Sequence, residues 1–221
     1  EENNNDITNG LEILNKLYTN ARTNPSDINE HVPILKKYSE NCEHITELGV
    51  RDCVSTYGFL KGLLENNCQN KTLVGVDPYR SKNIDTIESI CKEVQIDYIF
   101  INKSDLDINI DNTDLLFIDT WHCYGQLIRE LNKHHNNVNK YIIMHDTTVD
   151  EWTSEVIRIP SRWQNKKKKK YQKIIRQSGF NEYELKTGLW PAIKKFLDEN
   201  KCWSIKERYT NNNGLTILEK Q

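Results

Sequence analysis

Asp114-Leu-Leu-Phe-Ile-Asp119-Thr-Trp-His122-Cys-Tyr-Gly125 and, further on, Tyr141-Ile-Ile-Met-His145-Asp146-Thr-Thr148 decide the reading of the fold. Each stretch opens with a short apolar run suited to a buried strand. The first run stops at Asp119, the second at the His145-Asp146 pair. Between them, Leu127, Leu131 and Val138 supply apolar positions for a crossover helix. A strand, a helix and a second parallel strand form a right-handed unit. The carboxyl ends of neighbouring strands in such a sheet lie side by side, and ligands bind there. Asp119 and Asp146 are therefore predicted to face each other across one crevice.

Upstream, the same punctuation recurs. His44-Ile-Thr-Glu47-Leu-Gly49, Thr72-Leu-Val-Gly-Val-Asp77 and Tyr98-Ile-Phe-Ile101 read as strands, two of them ending in a carboxylate. Helices are predicted over residues 57–64 and 81–92, the first capped by Ser55 or Thr56. Residues 7–21 have helical apolar spacing. Asp27 and Glu30 have capping-box spacing for a second helix, whereas Pro33 favours a start near His31.

Downstream, residues 147–164 lose periodicity and carry Trp152, Pro160 and Trp163. A five-lysine run at 166–170 leads into a helix over 171–177. Residues 189–199 read as a helix with Pro191 in its first turn. Residues 203–209, the turn Asn211-Asn-Asn-Gly214 and Leu215-Thr-Ile-Leu218 make an antiparallel hairpin. Alternating strands and helices predict an α/β, Rossmann-like, doubly wound sheet, mostly parallel with an antiparallel C-terminal strand. The division expected is N-terminal helices at 1–40 and a ligand-binding domain at 41–221, with a lid region at about 147–188.

The chain has 221 residues, 37% of them hydrophobic, enough for a complete α/β core. A formal net charge of −2 disfavours nucleic acid as a partner. No apolar run approaches the roughly 20 residues of a membrane span, so no membrane association and a cytoplasmic location are expected. The first residue is Glu1 rather than Met, which is compatible with a piece of a longer chain. The six cysteines show neither CxxC pairing nor zinc spacing and read as reduced, mostly buried thiols.

The chemistry concentrates at the strand ends. Gly49 allows a tight turn after the first strand, but Arg51 and Val54 break the GxGxxG fingerprint. A cofactor without a pyrophosphate fits such a loop better. Asp77 stands where a carboxylate accepts hydrogen bonds from two ribose hydroxyls. With the missing glycines it points to S-adenosylmethionine rather than NAD. Ser104 and Asp105 lie next along the edge and could flank an adenine. Asp119, His122, His145 and Asp146 form the catalytic candidates. Two carboxylates at adjacent strand ends suit Mg²⁺, which takes oxygen ligands. His145 is the alternative base, oriented by Asp119 or Asp146.

Glu47-Leu-Gly-Val-Arg51, Phe117-Ile-Asp119-Thr-Trp-His122-Cys-Tyr-Gly-Gln126, Ile142-Ile-Met-His145-Asp146-Thr147 and Gly188-Leu-Trp-Pro-Ala192 resemble class I S-adenosylmethionine-dependent methyltransferases. Within that family the similarity is to the cephalosporin-hydroxylase-like and sugar O-methyltransferases. The resemblance implies a seven-stranded sheet with the last strand antiparallel. It implies that Glu47 and Gly49 line the cofactor and that Asp77 binds its ribose; Ser55, Ser104, Asp105 and Asp119 complete the cofactor residues expected here. It also implies that Asp119 and Asp146 hold a divalent metal. Arg51 and Cys53 depart from the further glycines of many relatives, and His145 stands where sugar methyltransferases tend to have a carboxylate.

The function expected is O-methyl transfer from S-adenosylmethionine to a sugar hydroxyl, on a glycan or a nucleotide-linked sugar, with Mg²⁺ assistance. A homodimer is compatible with this. Two rivals are a hydroxylase or oxidoreductase on the same fold and a non-catalytic domain that binds a glycan or partner.

Overall fold

The computed structural model of the chain describes residues 2–158, 169, 172–173 and 175–221. Seven strands form one sheet: β1 (His44–Leu48), β2 (Thr72–Val76), β3 (Asp97–Ile101), β4 (Thr113–Ile118), β5 (Val138–His145), β6 (Trp203–Tyr209) and β7 (Leu215–Lys220). Their order is β3-β2-β1-β4-β5-β7-β6. The first five pair in parallel, and β7 runs antiparallel to both β5 and β6.

The helices are α1 (Glu2–Thr23), α2 (Val32–Ser39), α3 (Val54–Glu65), α4 (Ile84–Glu93), α5 (Tyr124–His134), the short α6 (Glu155–Arg158) and α7 (Glu182–Lys186), and α8 (Leu189–Glu199). Alternation along the strands divides the core between the two faces of the sheet. Ile45, Leu73, Leu115, Phe117 and Ile143 pack with residues of α1 to α4, among them Leu14, Leu35 and Phe59. Leu48, Val74, Leu116, Ile142 and Met144 pack with residues of α5 and α8, among them Leu131 and Phe196. The central strand β4 is buried on both faces, which is why Leu115–Ile118 reads as a continuous apolar run. The N-terminal helices therefore share the sheet's core.

The strand order reverses beside β1, whose neighbours β2 and β4 leave in opposite directions across the sheet. The crevice outside the carboxyl ends of β1 and β4 is the switch point at which such sheets bind ligands.

Several boundaries differ from the sequence expectations for physical reasons. Val138 opens β5 instead of closing the crossover helix, because α5 stops at His134 and a 3-10 turn intervenes. The Asp27–Glu30 capping box does not form. Asp27 instead accepts two 2.8 Å hydrogen bonds from the Arg51 guanidinium. Helix α2 starts at Val32, with Pro33 in the first turn. Helix α3 starts at Val54 behind a left-handed Cys53, so neither Ser55 nor Thr56 is its cap. Trp163, Pro160 and the lysine run 166–170, apart from Lys169, lie outside the described residues, and the helix expected over 171–177 falls only partly within them.

The asparagine-rich turn between β6 and β7 proves to be a clasp. Asn212 and Asn213 have φ of 43° and 69°, in the left-handed region that asparagine tolerates. Asn212 donates to the Ser26 carbonyl at 2.8 Å and accepts from the Glu30 amide at 3.0 Å. His31 sits against the Asn211 and Asn212 carbonyls at 3.0 and 3.2 Å. The segment before α2 is thus tied across the ends of β5 and β7.

Candidate active site

The β1 side of the crevice is internally braced. Gly49 has φ of 87°, and a Cβ there would lie 2.0 Å from the Asp119 carbonyl oxygen. Glycine is therefore required by the protein's own backbone as much as by any ligand. Asp77, just past β2, accepts from the Val50 and Arg51 amides, both at 3.0 Å, through one oxygen. Its other oxygen accepts from Tyr79 at 2.8 Å. A carboxylate has about four lone-pair sites, so one acceptor direction is left for a ligand.

Glu47 and Ser55 do not reach the crevice. Glu47 is fully buried and accepts from the Ser55 hydroxyl at 2.5 Å and from Thr56 at 2.8 Å. Burial pushes its carboxyl up to about 8, with the two hydroxyls pulling the other way. These residues brace the loop from below. Both were expected on a cofactor, and neither lines the cavity described next: the strand turns Glu47 inward, and the early start of α3 carries Ser55 with it.

A cavity of about 470 Å³ runs along the strand ends, lined by Gly49, Asp77, Ser104, Asp105 and Asp119 among others. The wall also takes in Trp121, and Tyr79, Gln126 and Glu155, to which sequence reasoning assigns no role. Gln126 lay unassigned in the stretch after β4. It donates to Asp105 at 2.9 Å and to the buried Glu130 at 2.8 Å, so it ties the cavity wall to α5. Glu155 comes from α6, in a region whose sequence gives no periodicity. Trp121 stacks on Phe180 at 5.6 Å and 22°, and Arg129 lies 4.3 Å from the Phe180 ring centre. This stack fastens Phe180 to the site.

Behind Asp119, the one of the four that lines this cavity, the catalytic candidates meet as expected. His122 Nε2 lies 3.1 Å from Asp119 Oδ1 and 3.0 Å from Asp146 Oδ2. Its Nδ1 lies 3.3 Å from Asp150 and 3.7 Å from Glu155. His145 Nδ1 lies 3.4 Å from Asp119 and 3.6 Å from Asp146. Its Nε2 faces two carbonyl oxygens, Asp27 at 3.0 Å and Asn212 at 3.2 Å. Asp146 adopts a left-handed φ of 57° as the chain leaves β5.

The electrostatics follow from this crowding. Burial works to raise Asp119, but His145 and His122 outweigh it and hold the carboxyl well below the usual range. Burial works to lower His145, yet the Asp119 charge lifts it to about 9. Burial lowers and Asp146 raises His122, with the second effect winning. Burial pushes Glu155 up. Arg158 makes a two-pronged pair with Asp150 at 2.8 and 2.6 Å.

Two groups of side chains could hold a metal ion: Asp119, His145 and Asp146, and His122, Asp146 and Asp150, each with donor atoms within 4.8 Å of one another. The first fits a cation. His145 Nδ1 and Asp146 Oδ1 have no hydrogen-bond partner among the described residues although both residues are buried. In the second, both Asp150 oxygens already receive the Arg158 guanidinium.

No family model matches the chain. Nor does any curated protein match it. Solved structures do. A methyltransferase of Podospora anserina bound to SAH is 13% identical, with a TM-score of 0.51 over 94% of this chain and 87% of that one. An O-methyltransferase of Bacillus cereus in complex with SAH is 11% identical, with a TM-score of 0.53 over 98% and 91%. No helix among the described residues is long and apolar enough to cross a membrane. In strand order, in the antiparallel β7 and in these likenesses, the chain has the fold of the class I S-adenosylmethionine-dependent methyltransferases.

Proposed function

We propose that the chain transfers a methyl group from S-adenosylmethionine to a sugar hydroxyl, on a glycan or a nucleotide-linked sugar, with a divalent cation beside the acceptor. The observation that carries this is the single cavity that joins Gly49, Asp77, Ser104 and Asp105 to Asp119. The remaining acceptor direction of Asp77 suits a ribose hydroxyl, and Ser104 with Asp105 suits an adenine edge. The sulfonium then falls toward Asp119. Both solved relatives named above hold SAH, which supports the same ligand here.

The reaction is an in-line displacement. A lone pair of the acceptor oxygen attacks the methyl carbon, the carbon–sulfur bond breaks, and its electrons remain on sulfur. Rate depends first on alignment, which the walls of the cavity supply. The hydroxyl proton must also leave. Two carboxylates line the cavity at this end, Asp119 and Glu155. Burial pushes Glu155 up, whereas His145 and His122 hold Asp119 down against the effect of burial. Glu155 is thus the better proton acceptor and Asp119 the better cation ligand. Asp119, Asp146 and His145 Nδ1 would hold the cation, which when bound would stabilise a developing alkoxide. On its carboxylates alone the site would take Mg²⁺. Trp121 and Tyr79 on the cavity wall give a sugar apolar surface.

The oxidoreductase alternative has less support. Binding a dinucleotide pyrophosphate at this loop needs free backbone amides, and those of Val50 and Arg51 are already given to Asp77. A label-transfer assay tests the proposal: purified chain, methyl-labelled S-adenosylmethionine and a panel of sugars and nucleotide sugars. Labelled methyl on a sugar oxygen is expected. Tight SAH binding with no transfer to any acceptor would favour the non-catalytic alternative.

A further inference from the structure

The cation proposed above has a feature that carboxylates alone do not explain. His145 is 2% exposed, yet its Nδ1 has no hydrogen-bond partner among the described residues. Its Nε2 faces the carbonyls of Asp27 and Asn212, and carbonyls only accept. The Nε2 atom must therefore carry a hydrogen, which leaves Nδ1 as the ring atom able to give a lone pair to a cation once the proton that the Asp119 carboxylate favours there is displaced. Metal-bound histidines are oriented in this way, by a carbonyl or carboxylate on the far nitrogen. The two carbonyls come from opposite ends of the chain, the strap before α2 and the β6–β7 turn, and the Asn212 clasp joins them.

The spacing agrees. Nδ1 lies 3.4 Å from Asp119 Oδ2 and 3.6 Å from Asp146 Oδ2. Ligands at about 2.1 Å around one first-row ion stand roughly 3.0–3.5 Å apart. Mg²⁺ prefers oxygen and dehydrates reluctantly. Imidazole suits Mn²⁺ and the later first-row dications better.

We propose that Asp119, His145 Nδ1 and Asp146 form a mixed nitrogen and oxygen site that selects a first-row transition-metal dication over Mg²⁺. This rests on the cation role in the proposed function, but it concerns the site itself and needs neither methyl donor nor acceptor. The neighbouring group of His122, Asp146 and Asp150 does not compete, because Arg158 supplies its positive charge.

The test uses the full chain after chelator treatment, with Mn²⁺ as the probe. Electron paramagnetic resonance should show one Mn²⁺ bound per chain, with a pulsed spectrum carrying a ¹⁴N coupling. Half-displacement of Mn²⁺ should need at least a hundredfold excess of Mg²⁺. His145→Asp should remove the nitrogen coupling and lower the excess of Mg²⁺ needed by about tenfold or more. Should that variant fail to fold, the nitrogen coupling of the unaltered chain decides by itself. Absence of bound Mn²⁺, displacement by equal Mg²⁺ or a spectrum without nitrogen coupling would overturn the proposal. SAH binding measured in chelator is independent of all three results, so failure here is distinct from failure of the methyltransferase assignment.

Discussion

The two halves of the crevice treat their buried polar groups in opposite ways. On the β1–β2 side, Glu47 is satisfied by Ser55 and Thr56, and Asp77 by three backbone amides. On the β4–β5 side, His122 Nδ1 and His145 Nδ1 face only carboxylates, at 3.3 to 3.7 Å, and complete no hydrogen bond of good geometry among the described residues. An unmade buried hydrogen bond costs roughly 1–3 kcal/mol. A fold tolerates several together where a ligand completes them. The first half is thus a finished scaffold behind the cavity wall, and the second is a cluster of charged groups held mainly by one another.

The largest effect should come from the second half. Asp119→Ala removes a cavity wall, a cation ligand and the partner of two histidines. Turnover should fall by at least about 10³-fold, as for loss of a main electrostatic stabiliser, while SAH affinity measured by calorimetry stays nearly unchanged. A variant that turns over normally would make the two halves equivalent. Glu155→Gln should lower turnover by about 10²-fold, the usual contribution of a general base. Its pH–rate profile should lose the ascending limb that unaltered Glu155 gives. If the limb persists, the proton goes elsewhere and the contrast sharpens onto Asp119 alone.

The scaffold half should respond in stability instead. The folded Glu47 carboxyl titrates near 8, against an ordinary 4.5. The folded state therefore holds a proton that the unfolded chain releases. Its contribution to stability is full below the unfolded value and is lost as pH rises toward 8. Glu47→Gln cannot ionise, so thermal denaturation of the variant should be flatter than wild type between pH 5 and 8. The smallest effect belongs to Arg51→Ala. It breaks the pair with Asp27, whose two side chains are 64% and 33% exposed. Denaturant melts should shift by no more than about 1 kcal/mol.

What the sequence made legible follows the same division. Strands β2, β4 and β5 could be read because a buried parallel strand is a short apolar run, and each run stopped at the residues that form the rim: Asp77, Asp119, His145-Asp146. Five of the seven expected cofactor residues line the cavity for that reason. Glu47 and Ser55 misled because residues near a strand end can face the ligand or the layer beneath, and only the start of α3 decides which. Asp27 misled because its pairing with Arg51 joins residues brought together only by the fold. Glu155 and Asp150 gave no signal, since α6 has a single turn and no apolar stripe. The Asn211-Asn-Asn-Gly214 stretch read as a hairpin turn and proved to be also the latch that fixes the His145 ring, a contact made only by the fold.

The central claim is that the crevice between the β1 and β4 ends is an S-adenosyl site. Calorimetric titration of the chain with S-adenosylhomocysteine, in chelator, tests it most directly, with Gly49→Val as the blocked control because a side chain there collides with the Asp119 carbonyl. One site per chain is expected in the wild type, and its loss in a variant that still folds by circular dichroism. Heat of binding absent at millimolar ligand, or equal in the two proteins, would contradict it.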